Sequence, residues 1–165
     1  MERYYKFLAT VFFIIAADLI TKYIAVKYLF HGSITVIPGF FDLTLVWNRG
    51  AAFGILAEAP EAVRILILII ASTVAAILTM IYAYIKRSQL SNWEFYSLSL
   101  IAGGAIGNLY DRIFIGSVRD FIDIYIKDYH WPAFNIADAS ISLGIAGFIF
   151  YEIFLKNRKK EVQID

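Results

Sequence analysis

Apolar residues run along the chain in four long segments that few polar positions interrupt. A helix needs about 20 residues of this kind to cross the hydrocarbon core of a membrane. The segments are Tyr5–Tyr28, Ile65–Ile85, Trp93–Ile115 and Phe134–Leu155. The pattern therefore predicts an all-α membrane protein with four transmembrane helices that form a single domain over residues 1–165.

The connections between these segments differ in positive charge. Residues 1–6, 86–92 and 156–165 together carry eight Lys and Arg side chains, whereas the longer connections 29–61 and 116–133 carry three. Cytoplasmic connections of membrane proteins are enriched in Lys and Arg. We therefore expect both termini to lie in the cytoplasm and both long loops to lie outside.

The first outer loop has a pattern of its own. The stretch SITVIPGFFDLTLVWN (residues 33–48) alternates apolar and polar residues around Pro38 and Gly39, which is typical of short strands joined by a turn. The following stretch, RGAAFGIL (residues 49–56), is apolar and predicts a loop at the membrane interface. The expected fold therefore adds a small extracytoplasmic β-rich segment and an interfacial loop to the helices.

The composition agrees with a membrane protein and excludes several kinds of chemistry. Hydrophobic residues make up 60% of the chain and charged residues 18%, and the mean hydropathy is +0.66. The chain has no Cys, which excludes disulfides, a thiol nucleophile and a Cys-ligated metal. The net charge of +1 does not indicate a particular class of partner.

Polar residues interrupt three of the apolar segments at one depth. Because a helix rises about 1.5 Å per residue, the orientation above places all of them towards the outer face. A charge at the centre of a bilayer costs about 2.5–3.5 kcal/mol on insertion scales, so such groups usually face the protein interior and serve a function. The residues are Asp18, Lys22, Asn108, Asp111, Arg112, Asn135 and Asp138.

Each of these residues also has a simpler interpretation. Asp18 and Lys22 are four residues apart and can neutralise one another on one helix face. Arg112 can reach lipid headgroups from a helix end. Asn135 can cap the fourth helix, and Asp138 lies where an acid favours a helix N-terminus.

The available side chains limit the chemistry of such a site. His31 and His130 are isolated, and the sequence contains no His-Glu-x-x-His zinc motif, no Gly-x-Ser-x-Gly elbow and no phosphate-binding loop. Two carboxylates held close together share a proton, so that one can activate water while the other polarises a carbonyl. Peptide hydrolysis without metal or cofactor fits these residues, and so does a small proton-coupled membrane transporter, which would need the same buried acids.

Five motifs, in this order along the chain, resemble those of the lipoprotein signal peptidases, or type II signal peptidases, which are bacterial membrane aspartic peptidases. The resemblance covers nearly the whole chain in length, layout of segments and motif order. The motifs are DLITK (Asp18–Lys22), NRGAAFG (Asn48–Gly54), GGAIGNLYDR (Gly103–Arg112), VRDF (Val118–Phe121) and FNIAD (Phe134–Asp138).

The resemblance implies a role for each polar residue. Asp120 and Asp138 match the catalytic acids of the family, and no metal or other cofactor is expected. The residues expected to bind substrate are Asn48, Arg112 and Asn135. The residues expected to support the site are Asp18, Lys22, Asn108 and Asp111.

The choice of Asp120 depends on the motif rather than on geometry. In an extended segment Asp120 and Asp123 point to opposite faces, whereas in a helical turn both can point the same way. The resemblance to Val-x-Asp-Phe favours Asp120 and leaves Asp123 and Asp128 as solvated loop acids.

The resemblance also implies a substrate. Enzymes of this family remove the signal peptide from prolipoproteins whose cysteine carries a diacylglyceryl group, and they cut just before that cysteine. The expected partners are such prolipoproteins and membrane lipid, with no nucleic acid, and the protein is expected to be a monomer. The expected location is the bacterial cytoplasmic (inner) membrane, with several spans and the active site at the outer face.

Overall fold

Four helices and a four-stranded sheet make up the part of the protein that the structure describes. In the computed structural model, which describes residues 1–50 and 60–156, the elements follow the predicted segments to within a few residues. The interfacial loop predicted at residues 49–56 lies almost entirely outside the described residues. The helices are α1 (Glu2–Leu29), α2 (Glu61–Ile85), α3 (Asn92–Phe114) and α4 (Ile136–Phe150), which continues as a π-helix over Tyr151–Leu155.

The central helix of the bundle is α3, which packs against each of the other three helices. Among residues 1–50 and 60–156, three helical stretches are long and apolar enough to cross a membrane: Glu2–Leu29, Glu61–Ile85 and Ile136–Leu155. The helix α3 is not among them, because it carries several polar residues in its last turns. A helix surrounded by other helices need not be apolar, since its polar groups can find partners inside the bundle.

Small residues allow the helices to approach closely. A Cβ added at Gly144 of α4 would lie 2.6 Å from the backbone oxygen of Ser97, and one at Gly103 of α3 would lie 2.8 Å from Cβ of Ile14. Both distances are shorter than real contacts. Small residues therefore mark the helix interfaces at these positions.

The sheet is antiparallel, with strand order β1-β2-β3-β4. The predicted strands of the first outer loop are β1 (Ile34–Ile37) and β2 (Phe41–Asn48), joined by a turn in which Gly39 has a φ of +77°. The second outer loop, for which the sequence left an extended segment or a helical turn open, forms β3 (Val118–Ile126) and β4 (Tyr129–His130).

A short segment connects the sheet to the last helix. The backbone N–H groups of Phe121 and Ile122 both donate to the oxygen of Phe134, at 3.0 and 2.9 Å, and the N–H of Phe134 donates back to Ile122 at 3.1 Å. This bridge places Phe134, two residues before the start of α4, directly beside the middle of β3.

Candidate active site

The pairing of β2 with β3 positions the first two site residues. Asn48 lies opposite Val118 in the register, and Val46 lies opposite Asp120. Because side chains alternate along a strand, Asn48 and Asp120 point to the same face of the sheet. The Asn48 Nδ2 group donates to Asp120 Oδ2 at 2.9 Å.

The start of α4 positions the next two site residues, Asn135 and Asp138. Asn135 and Asp138 form a reciprocal capping box, in which the Asp138 N–H donates to Asn135 Oδ1 at 2.9 Å and the Asn135 N–H donates to Asp138 Oδ2 at 3.3 Å. The Nδ2 group of Asn135 remains free to donate to Asp120 Oδ1, at 2.6 Å. Asn135 therefore contacts both acids, through its cap and through its amide.

Asn108 completes the connection from α3. Its Nδ2 group donates to Asp138 Oδ1 at 2.7 Å, and its Oδ1 atom accepts from Lys22 Nζ at 3.0 Å. The Nδ2 group of Asn135 also lies 3.2 Å from Asn108 Oδ1. Five elements, α1, β2, α3, β3 and α4 with its N-cap, thus contribute side chains to one network.

The hydrogen bonds fix which way each asparagine faces. The ammonium of Lys22 can only donate, so the oxygen of Asn108 must face Lys22 and its NH₂ group must face Asp138. The Gly50 N–H donates to Asn48 Oδ1 at 2.9 Å, so the NH₂ group of Asn48 must face Asp120. Each asparagine therefore presents N–H donors, not an oxygen, to a carboxylate.

A buried ion pair supports this network from α1. Asp18 Oδ2 lies 2.7 Å from Lys22 Nζ, and both side chains are fully buried. The simpler interpretation of the two as a neutralising pair is therefore confirmed, but each also has other partners. Asp18 Oδ1 accepts from the Ala137 N–H at 2.9 Å, which ties α1 to the first turn of α4. A Cβ added at Gly107 would collide with the Asp18 carboxylate.

Asp111 joins α3 to the start of β3. Its carboxylate accepts three hydrogen bonds from Arg119: from Nη2 at 2.6 Å, from the backbone N–H at 3.0 Å and from Nε at 3.1 Å. Lys22 Nζ lies 3.4 Å from the same carboxylate. Asp111 is fully buried.

Arg112 lies at the wall of a cavity of about 570 Å³. Its Nη1 group donates to Ser72 Oγ of α2 at 2.9 Å, so it faces the protein interior rather than lipid headgroups. Asn48 and Asp138 also line the cavity. The other lining residues are mostly apolar: Gly50, Val118, Trp131, Pro132, Ala133, Phe134, Ala139, Ile141, Ser142 and Leu143.

The two acids differ in their surroundings. Asp120 is 1% exposed, whereas Asp138 is half-buried and reaches the cavity. Burial, and then the nearby charge of Asp138, raise the pKa of Asp120 to about 7, although the hydrogen bonds from Asn48 and Asn135 oppose this shift. Within the described ranges 1–50 and 60–156, neither acid forms an ion pair.

The other loop acids lie elsewhere. Asp123 points away from Asp120, as an extended strand requires, and its carboxylate lies 2.9 Å from His130 Nδ1. Asp128 lies in the exposed turn between β3 and β4. In the part of the chain that the structure describes, no cluster of three His, Asp or Glu side chains could hold a metal ion.

The structure adds two residues that the sequence did not single out. Ser72 is the polar contact of Arg112 on α2, and its only signal in the sequence is a hydroxyl in an apolar segment. Arg119 precedes Asp120 in the VRDF motif. The signal that could have found it is a cation next to a proposed catalytic acid, and in the structure this cation binds Asp111.

Comparisons with known proteins place the chain in a family. The model of the family described as signal peptidase (SPase) II matches residues 10–154. A lipoprotein signal peptidase from Sulfurihydrogenibium sp. is 58% identical over 158 residues, which are 96% of this chain and 97% of that protein. A lipoprotein signal peptidase from Aquifex aeolicus is 47% identical over 145 residues, 88% of this chain and 84% of the relative.

Solved structures agree with the sequence comparison. One bacterial membrane enzyme superposes with a TM-score of 0.76 at 32% identity, covering 90% of this chain and 87% of its own. A second superposes with a TM-score of 0.77 at 29% identity, covering 92% and 94%. With a family model that matches most of its length and relatives at these identities, the chain belongs to the signal peptidase II family.

Proposed function

We propose that this protein is a membrane aspartic endopeptidase that removes signal peptides from diacylglyceryl-modified prolipoproteins, cleaving just before the lipidated cysteine, with Asp120 and Asp138 as its catalytic dyad. Family membership supports the reaction and argues against the proton-coupled transporter that the buried acids also allowed. The resemblance of the motifs suggested a role for each of these residues, and the contacts described above support that assignment.

One observation carries the assignment of the dyad: the Asn135 side chain contacts both acids. Asn135 Nδ2 donates to Asp120 Oδ1 at 2.6 Å, and Asn135 Oδ1 accepts from the backbone N–H of Asp138 at 2.9 Å. Asn135 thus holds the two acids near each other, and the charge of Asp138 helps to raise the pKa of Asp120. Two such acids, without a directly bonded cation among the described residues, favour a state in which one proton is shared between them. That state is what an aspartic peptidase needs.

The dyad would act as acid and base in turn. The ionised carboxylate takes a proton from water as the water oxygen attacks the scissile carbonyl, and the protonated carboxyl donates its proton to the carbonyl oxygen. The resulting gem-diol collapses when one hydroxyl returns its proton to a carboxylate and the leaving nitrogen receives a proton from the other acid. The free acid, the free amine and the singly protonated dyad remain.

The cavity suits the substrate that the family cleaves. Its polar end holds Asp138, Arg112 and Asn48, and its walls are apolar. The planar guanidinium of Arg112 can make two parallel hydrogen bonds to a peptide carbonyl or carboxylate. The apolar walls, from the segment before α4 and from α4 itself, can take the acyl chains and the signal helix.

The polar residues Asp18, Lys22, Asn108 and Asp111 would support the dyad rather than touch the substrate. Lys22 fixes the orientation of Asn108, and Asp18 holds the first turn of α4 in place. Since all these side chains come from one chain, we propose that the enzyme acts as a monomer, without nucleic acid.

We further propose that all four helices span the inner membrane, with both termini in the cytoplasm and the site at the outer face. The Lys and Arg distribution supports this orientation, although Arg158, Lys159 and Lys160 fall outside the described residues. Cys introduced at Ser33 and at Ser88, which are both exposed, tests it with an impermeant thiol reagent in intact cells. We expect labelling at residue 33 and not at residue 88, and the reverse result would contradict the orientation.

The experiment for the reaction uses purified enzyme and one preprolipoprotein with and without its diacylglyceryl group. We expect cleavage of the lipidated form alone, and mass spectrometry should find a product that begins at the lipidated cysteine. Asp120→Asn and Asp138→Asn serve as inactive controls. Equal cleavage of the unlipidated form would contradict the proposed substrate, since the cavity would then play no part in recognition.

A further inference from the structure

Arg119 is bound at three points to the residues around Asp120. Its guanidinium makes two hydrogen bonds to the Asp111 carboxylate, and its backbone N–H makes a third. Its backbone oxygen accepts from Asn135 Nδ2 at 3.4 Å. The residue that precedes Asp120 is therefore fixed to α3 through Asp111 and to the start of α4 through Asn135.

This attachment fixes the start of β3 to α3. Gly116, with a φ of +78°, turns the chain between the two elements, and β3 pairs with β2 from Val118 onwards. The planar guanidinium adds a two-point contact with a carboxylate, which fixes orientation as well as distance. The side chain of Arg119 is only 11% exposed.

Arg119 also balances the charge of the buried cluster beneath the site. Asp18, Asp111, Lys22 and Arg119 contribute two negative and two positive charges. Without Arg119 the cluster carries an uncompensated carboxylate, and a buried charge without a partner is strongly unfavourable.

We infer that Arg119 is a positioning residue for the catalytic acid Asp120: it fixes the start of β3 to Asp111 and supplies the positive charge that balances the cluster below the dyad. This inference rests on the proposed function of Asp120. It goes beyond the roles that the resemblance implied, since Arg119 lies within the VRDF motif but was given no role there.

The inference has a consequence for the pH dependence of cleavage. The dyad works with one shared proton, so activity should fall as pH rises through the upper pKa of the pair. Loss of a nearby cation raises the pKa of a carboxyl group, so Arg119→Gln should move this alkaline limb to higher pH. The charged groups that interact with Asp120 in the described chain are Asp138 of α4, Lys22 of α1 and Arg112 of α3, and Asp111 contacts Lys22 and Arg119 beneath them.

The experiment measures kcat, KM and the pH profile for purified wild type, Arg119→Gln, Arg119→Lys and Lys127→Gln on a lipidated preprolipoprotein. We expect Arg119→Gln to lower kcat about tenfold or more at pH 7, with KM within about twofold, and to shift the alkaline limb upwards. Arg119→Lys keeps the charge but not the two-point contact. The alkaline limb of its pH profile should therefore stay near the wild-type position, and its kcat should fall less than that of Arg119→Gln. Lys127→Gln removes a charge from the exposed β3–β4 turn and should behave like wild type.

Two further measurements separate positioning from folding and from failure of the dyad. Thermal unfolding in detergent reports the folded fraction, and Asp111→Asn combined with Arg119→Gln removes one charge of each sign. We expect this double variant to return the limb towards wild type. A limb unchanged in Arg119→Gln, or a kcat loss explained by unfolding alone, would overturn the inference. A cleaving Asp120→Asn would instead show that the dyad itself is wrong.

Discussion

The two ends of the helical bundle bury polar groups in different ways. At the end where α1 begins and the described part of α4 ends, polar groups serve structural purposes. Glu94 and Ser91 cap α3 reciprocally, and the Arg3 guanidinium donates to the Leu90 oxygen at 2.7 Å. Lys156 pairs with Glu152 one helical turn away, at 2.6 Å.

At the end that carries the sheet, the polar groups belong to different elements and converge on two acids. Asp120 and Asp138 accept hydrogen bonds from amide groups, while the cations of the neighbouring cluster bind other carboxylates. Such an arrangement is unfavourable for folding, because a buried carboxylate prefers a direct cation or water. A protein that keeps two acids in this state gains reactivity at the expense of stability, and the other end shows that the same chain can pair its charges.

The largest effect should come from the dyad. Asp120→Asn and Asp138→Asn should each lower kcat at least about a thousandfold, since an amide neither takes up nor returns the shuttled proton. The double variant should be no worse than either single variant, as expected for residues that act as a unit. Cleavage assays with purified variants measure this. Asp123→Asn, on the opposite face of β3, is the matched control and should retain most activity; a dead Asp123→Asn beside a working Asp120→Asn would identify the wrong acid.

Arg112 should have the next largest effect. Arg112→Ala and Arg112→Lys should both lower kcat/KM about 10- to 100-fold, because Lys cannot reproduce the planar two-point contact with a substrate carbonyl. Membrane insertion of both variants, measured by membrane fractionation, should equal that of the wild type. A fully active Arg112→Lys would mean that only the charge of this residue matters at the cavity wall.

The stability of the sheet-bearing end should depend on pH through Asp120. Its pKa is about 7 in the folded protein and near 3.8 when unfolded, so its contribution to stability is fully present below pH 4 and is lost as pH rises to 7. Asp120→Asn removes this loss. We expect its Tm in detergent to exceed that of wild type at pH 8 by more than at pH 4.5. An equal difference at both values would show that the buried carboxyl titrates normally.

The smallest effect on activity should come from the opposite end. Ser91→Ala removes the side-chain cap of α3 and should lower the free energy of unfolding by about 1 kcal/mol. At a temperature where the protein stays folded, kcat and KM should remain at wild-type values. Thermal unfolding and the cleavage assay on the same preparation measure both. A large loss of kcat in this variant would remove the distinction between the two ends.

Several features of the site could be predicted from the sequence because they depend on local spacing. The capping box of Asn135 and Asp138 follows from a three-residue separation at a helix start, and the Asp18–Lys22 pair from a four-residue separation on one helix. The strands around Pro38 follow from alternation. Arg119 and Ser72 could not be predicted, since their partners are eight and 40 residues away and no local rule connects them.

The sequence by itself determined the helical segments, the convergence of polar residues on one end and, through its motifs, the family, and it suggested the two acids that we propose as the dyad. It left open whether residues 118–126 form a strand or a helical turn, and so whether Asp120 alone or Asp123 as well could face Asp138. Only the tertiary structure decided this, because the pairing of β3 with β2 and its bridge to Phe134 fix the face to which each residue points. Backbone pairing between distant segments has no signature in local composition, whereas apolar length and motif spacing do.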